Sequence, residues 1–139
     1  MSPAYSFEQV KAVNATAGFN RWARIEVVQA SSGEAEIRIG WREDFGQYAG
    51  YLHAGLISAL LDTACGFAAS TISGNVIATH FSVNCLAPAV GTTFVAFGHV
   101  VRAGKRQIFT RGELFASSET GKAKLVATAD VLLLPSSAP

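Results

Sequence analysis

The apolar positions change period along the chain, and each change marks an element. Ser6-Phe7-Glu8-Gln9 has the form of a capping box, with Ser6 as cap and Gln9 three residues on. It predicts a short helix to about Ala17, with Phe7, Val10 and Val13 on one side and Gly18 as its end. Arg24 to Ala30 reads as a strand, and Ser31-Ser32-Gly33 as a turn. Ala35, Ile37, Ile39 and Trp41 then alternate with Glu34, Glu36, Arg38 and Gly40. That period of two belongs to a strand with one dry face and one wet face. Residues 43–52 read as a loop. From His53 to about Ser73 the period becomes helical, and Leu56, Ile57, Leu60, Leu61, Ala64, Cys65, Phe67 and Ala68 leave little polar face. A helix apolar nearly all round is buried nearly all round. Gly74-Asn75 closes it.

Four strand-like segments follow without another helix: Val76 to Leu86, Thr92 to Arg102, Gln107 to Ala116, and Lys122 to Leu134. Pro88, Ala103-Gly104 and Thr120-Gly121 punctuate them. Short turns between successive strands imply antiparallel pairing. The last strand puts Leu125, Ala127, Ala129, Val131 and Leu133 on one face. No repeat or linker appears, and a chain of 139 residues suits one domain spanning 1–139. Within it, residues 1–23 form a helix and lead-in, and 135–139 a flexible tail. One central helix cannot cover both faces of a six-stranded sheet. A strongly curved sheet can wrap it, leaving the outer face or an edge for a partner subunit. The fold class is therefore α+β.

Composition narrows the functions. Half of the residues are hydrophobic and 15% are charged, which leaves apolar surface for burial between subunits. The net charge of +1 gives no global attraction to nucleic acid. Cys65 and Cys85 have no paired spacing, and His53, His80 and His99 are scattered, so neither a disulfide framework nor a metal site is expected. Met1 to Phe7 lacks a basic region followed by an apolar run. The apolar stretch from Leu52 to Ala69 is broken by Ser58, Asp62 and Thr63, so it reads as a buried helix rather than a membrane span. A cytoplasmic setting is expected.

Asp62 is the only carboxylate between residues 45 and 112, in the middle of the most apolar segment. Such a group must be hydrogen-bonded or face a cleft. A structural Asp bonded to a neighbouring Ser or Thr is one reading. The other is a general base or nucleophile whose basicity burial raises. At the helix start, His53-Ala54-Gly55 presents backbone N–H groups where the dipole favours negative charge, and these can hold an oxyanion. His53 also suits a plain N-terminal cap. Eight residues separate Ala54 from Asp62, roughly 12 Å along a helix. Reacting groups must lie within about 3–3.5 Å of the substrate atom. If both are catalytic, two copies of the helix related by a two-fold axis must share the site. Finally, Arg102-Ala-Gly-Lys105-Arg106 places three cations at a hairpin tip, as a phosphate-binding cluster or as a solvated turn that blunts a sheet edge.

The stretch Gly50-Tyr-Leu-His53-Ala54-Gly55-Leu-Ile-Ser-Ala-Leu-Leu-Asp62 resembles the signature of hotdog-fold thioesterases of the phenylacetate-degradation (PaaI) type. Phe81-Ser-Val-Asn-Cys-Leu86-Ala-Pro88-Ala89 and Val100-Val-Arg102-Ala-Gly104-Lys105 resemble its later strand and hairpin. The resemblance implies a hotdog fold, homodimers that pair into homotetramers, and hydrolysis of acyl-CoA thioesters without metal or cofactor. It makes Asp62 the catalytic carboxylate, as base or nucleophile. Ala54 N–H, helped by Gly55, would polarise the carbonyl across the interface, and Gln47 stands where the family usually has Asn. Arg102, Lys105 and Arg106 become candidates for the CoA phosphates, and Tyr51 for the substrate pocket. Gln47 is one departure, its side chain a carbon longer than Asn, and three more stand out. Ala54 replaces the first Gly of the usual pair, and Ala87 replaces an Arg before Pro88. A water-positioning Ser or Thr falls on Ala78, with Thr79 beside it. A small aromatic or medium aliphatic acyl group suits Phe45, Tyr48, Tyr51, Leu52 and Phe67. The rivals are a non-catalytic acyl-CoA binding protein and a hotdog hydratase or dehydratase. The latter family's Asp-x-Asn-Pro-x-His motif is absent from the sequence.

Overall fold

A computed structural model describes residues 3–137. Helices α1 (Phe7–Asn14) and α2 (Gly18–Ala23) lead into strands β1 (Glu26–Ser31) and β2 (Glu34–Gly40). A 3-10 turn at Glu43–Phe45 precedes helix α3 (Ala54–Ser73). Strands β3 (Val76–Cys85), β4 (Thr93–Ala103), β5 (Ile108–Ser117) and β6 (Lys124–Pro135) complete the chain. The six strands form one antiparallel sheet in the order β1-β2-β4-β5-β6-β3. It wraps α3, which is the hotdog architecture.

The wrap is possible because side chains are missing where helix and sheet meet. Gly98 of β4 and Gly112 of β5 are register partners. A Cβ on Gly98 would stand 2.5 Å from the Ala64 carbonyl oxygen, and one on Gly112 would stand 3.1 Å from Cys65 Sγ. Leu60, Leu61, Ala64, Cys65 and Ala68 of α3 are fully buried against the strands. Among the described residues, α3 alone is long and apolar enough to cross a membrane, and 61% of its most apolar stretch is buried inside this sheet.

Several boundaries differ from the sequence reading. The capping box at Ser6 forms, with Gln9 N–H on Ser6 Oγ at 3.2 Å. The helix it starts ends at Asn14, however, and Gly18 opens α2 instead of closing α1. Arg24 is not in a strand. It caps α2 in the left-handed region (φ 55°), and β1 begins at Glu26. A register shift at Leu114/Phe115 moves the buried position in β6 from Leu125 to Val126. Pro135 is not tail: it ends β6 opposite Val76, and Ser136 N–H donates to Asn75 O at 2.8 Å. Residues 138–139 of the expected tail lie outside the described residues.

Candidate active site

Helix α3 begins at a capped corner. His53 is extended (φ −61°, ψ 136°), and its Nδ1 accepts the Gly55 N–H at 2.8 Å. A ring nitrogen that accepts carries no proton, so this geometry assigns the proton of neutral His53 to Nε2. Glycine suits position 55, since a Cβ there would come within 3.0 Å of that Nδ1. The Gly55 N–H is therefore taken within the chain. The Ala54 N–H has no acceptor among the described residues. Two backbone bonds hold the corner: Leu52 N–H to Ala89 O at 3.0 Å, and His53 N–H to Phe45 O at 2.9 Å.

Gln47 sits in the loop before this corner. Its Oε1 accepts from the N–H groups of Ala49 and Tyr51, and its own N–H donates to Tyr51 O at 2.8 Å. The amide NH2 is the end left available. A cleft of about 440 Å³ joins Gln47, Tyr51, His53, Ala54 and Ile57 to the facing segment Cys85–Ala89. Of the other aromatic candidates, Phe45 is core, Tyr48 is fully exposed at the cleft's rim, and Phe67 lies elsewhere.

Asp62 opens on a second hollow of about 370 Å³, between α3, the two N-terminal helices and the start of β3. The carboxylate is half-buried, and burial raises its pKa above the ordinary carboxylate value. No side chain among the described residues hydrogen-bonds or ion-pairs with it, and burial is the cause of the shift. Nearby Ser58 instead donates to Ala54 O at 3.0 Å. Because α3 is unbroken, Ala54 and Asp62 stand about 12 Å apart along its axis.

The remaining candidates are scattered. Ala78 lies in the wall of the Asp62 hollow. Thr79 sits at a register shift of β3, and its hydroxyl donates to Leu132 O at 3.3 Å. Arg102 borders a different hollow on the outer face of the sheet, with Val101, Phe109 and Leu132. Lys105 and Arg106 are exposed in the β4–β5 turn and line neither the cleft nor the Asp62 hollow. Cys65 is buried beneath Gly112, and burial pushes its thiol up to about 11, so it is a core group. The contribution of Cys85–Ala89 to the cleft was visible only as part of the Phe81–Ala89 resemblance, and that of α1 and α2 to the Asp62 hollow had no sequence signal. Both are contacts between segments distant in the chain.

A capped helix start and a desolvated carboxylate thus lie on one core helix. Residues 49–123 match the family profile of the thioesterase superfamily, and the chain belongs to that family. A curated relative from Saccharolobus solfataricus, described as an esterase, is 29% identical over 86 residues, which span 60% of this chain and 61% of that protein. The crystal structure of a thioesterase family protein from Silicibacter pomeroyi superposes with a TM-score of 0.88 at 27% identity, over 93% of this chain and 97% of that one. The E. coli PaaI protein of the phenylacetic acid degradation operon superposes with a TM-score of 0.85 over 94% of this chain and 92% of its own. At 18% identity, that likeness speaks to the hotdog fold. Family and fold together place the chain among hotdog-fold members of the thioesterase superfamily.

Proposed function

We propose that the chain hydrolyses acyl-CoA thioesters to the free acid and CoA, at sites shared between two copies of itself. The observation that carries this reading is the placement along α3. The Ala54 N–H and the Asp62 carboxylate, both without a partner among the described residues, lie on one unbroken helix, in the walls of different cavities. Two copies of α3 set antiparallel about a two-fold axis would bring the N–H of one to the carboxylate of the other. Strand β3 supports such pairing. It is an edge strand of ten residues, with Ile77 and Phe81 exposed, and an edge of that kind is a ready template for another chain.

In this site Ala54 N–H, at the positive end of α3, polarises the thioester carbonyl. The Gln47 amide NH2 is a second donor in the same cleft. Asp62 of the other copy takes a proton from water as the oxygen attacks the carbonyl carbon. Burial makes the carboxylate a better base than a solvated one. The tetrahedral oxyanion collapses with cleavage of the carbon–sulfur bond, and the proton passes to the departing CoA thiolate. His53 positions the helix start through its bond to Gly55. Arg102, Lys105 and Arg106 offer cations for the CoA phosphates.

One observation favours a second reading, acyl-CoA binding without turnover: the helix start has a single uncommitted donor, because Gly55 N–H is taken by His53. Thiol release from a panel of aryl and alkyl acyl-CoAs, compared with Asp62→Asn, decides between them. Hydrolysis requires wild type to exceed the variant by about 10²-fold or more. Binding with equal, background turnover in both establishes the second reading.

A further inference from the structure

The hollow at Asp62 is not needed for the proton transfer itself, yet it is built as a receptacle. Its wall joins Gly66 and Phe67 of α3, Val13 and Ala17 of the N-terminal segment, and Ala78 and Leu133 of the sheet. Among the described residues, Asp62 is the only charged one lining it. At about 370 Å³ it falls near the lower end of the roughly 300–1,000 Å³ typical of small-molecule pockets. That suits one part of an acyl-CoA and not the whole. The charged nucleotide end would find no cation there.

Gly66 lies four residues beyond Asp62, on the same side of the helix. A Cβ at Gly66 would meet only Leu133 Cδ2, at 3.9 Å, so the missing side chain leaves room beside the carboxylate. The N-terminal segment that forms the opposite wall is fastened. Tyr5 N–H donates to Ser70 O at 2.9 Å, and the Tyr5 hydroxyl donates to Asn75 Oδ1. Asn20 Nδ2 donates to Asn14 Oδ1 at 2.9 Å, joining α2 to α1.

We infer that this hollow receives the acyl group of the substrate, an uncharged and mainly apolar chain or ring, and that α1 and α2 set the size it accepts. The inference rests on the acyl-CoA reading above. With the carbonyl carbon at Asp62, the acyl group extends past Gly66 toward Val13 and Ala17. The pantetheine arm leaves by the cleft at the other copy's Ala54.

Two variants fill the hollow from opposite walls, Gly66→Leu and Ala17→Phe. Each is checked for wild-type circular dichroism before assay. The readout is the ratio of kcat/KM for octanoyl-CoA to that for acetyl-CoA. Both variants should lower it by about tenfold or more, the effect of keeping about two methylenes out of an apolar site. In parallel, the ratio of Kd values for the S-octyl-CoA and S-ethyl-CoA thioethers reads the same pocket without turnover. The octyl preference should shrink by a similar factor. Folded variants that keep the wild-type ratios overturn the inference, as does a wild type that binds the two thioethers equally. If wild type releases no thiol from any acyl-CoA, the hydrolytic reading falls, and the thioether ratios still decide the acyl pocket.

Discussion

Substitution of Ala54 by proline tests the shared site with little disturbance of the fold. Proline removes one backbone N–H and nothing else at this position. Ala54 is the first residue of α3, where proline's fixed φ suits the helix. His53 before it already has the extended conformation that a pre-proline residue requires. The lost N–H has no partner among the described residues, so no internal bond is broken. If that N–H holds the oxyanion, its removal should lower kcat by about 10²–10³-fold, or roughly 2.7–4 kcal/mol. Asp62→Asn should lower it by about 10²–10⁴-fold. Each homodimer is then nearly inactive for a different reason. Unfolding the two variants together and refolding them at equal concentration yields mixed dimers as about half of the population. Each mixed dimer has one site with both groups intact and one with neither. Activity should return to about one quarter of wild type, well above either parent. Thiol release measured before and after mixing reads this directly. A mixture no more active than the mean of its parents refutes the shared site, and an Ala54→Pro enzyme of wild-type rate refutes the oxyanion assignment.

Two further outcomes follow from the packing. Asp62 has a raised pKa, so the native state holds its proton more tightly than the unfolded chain does. The cost of burying the charge is absent below the ordinary value of 3.8, grows as pH rises toward the folded pKa, and is full above it. Asp62→Asn should therefore raise Tm at pH 7, with the gain vanishing as the pH falls to about that ordinary value. A Tm difference independent of pH contradicts burial as the cause. Gly98→Ala forces a methyl to within 2.5 Å of the Ala64 carbonyl oxygen, where backbone on both sides cannot yield. A loss of about 3 kcal/mol is expected, the upper part of the overpacking range, seen as a Tm roughly 10 °C lower. An unchanged Tm would mean that α3 does not pack this closely on β4.

Much of this molecule is written in local pattern. The mostly apolar run after His53 reads as a buried helix, because its apolar side chains recur at helical spacing and leave little polar face. Alternation from Ala35 to Ile39 fixed β2, and the short turns after residue 86 fixed antiparallel order. Asp62 and the His53-Ala54-Gly55 corner were visible as chemistry out of place in an apolar segment. Their separation was visible as well, since a helix converts sequence spacing directly into distance.

Tertiary structure alone decided how those groups are surrounded. Gly18 carries the permissive backbone of a helix end, yet it opens α2, because glycine's freedom permits a turn without saying which side of it is helical. Whether Gly55 or Ala54 offers its N–H depended on where the His53 ring points, a side-chain torsion that sequence does not encode. The close approach of Gly98 and Gly112 to Ala64 and Cys65, and the hollow that Val13 and Ala17 form with Gly66 beside Asp62, join segments far apart in the chain. Periodicity reports which face of an element is dry. Only the assembled packing reports what that face meets, because contacts between distant segments are set by the global fold and by side-chain volume.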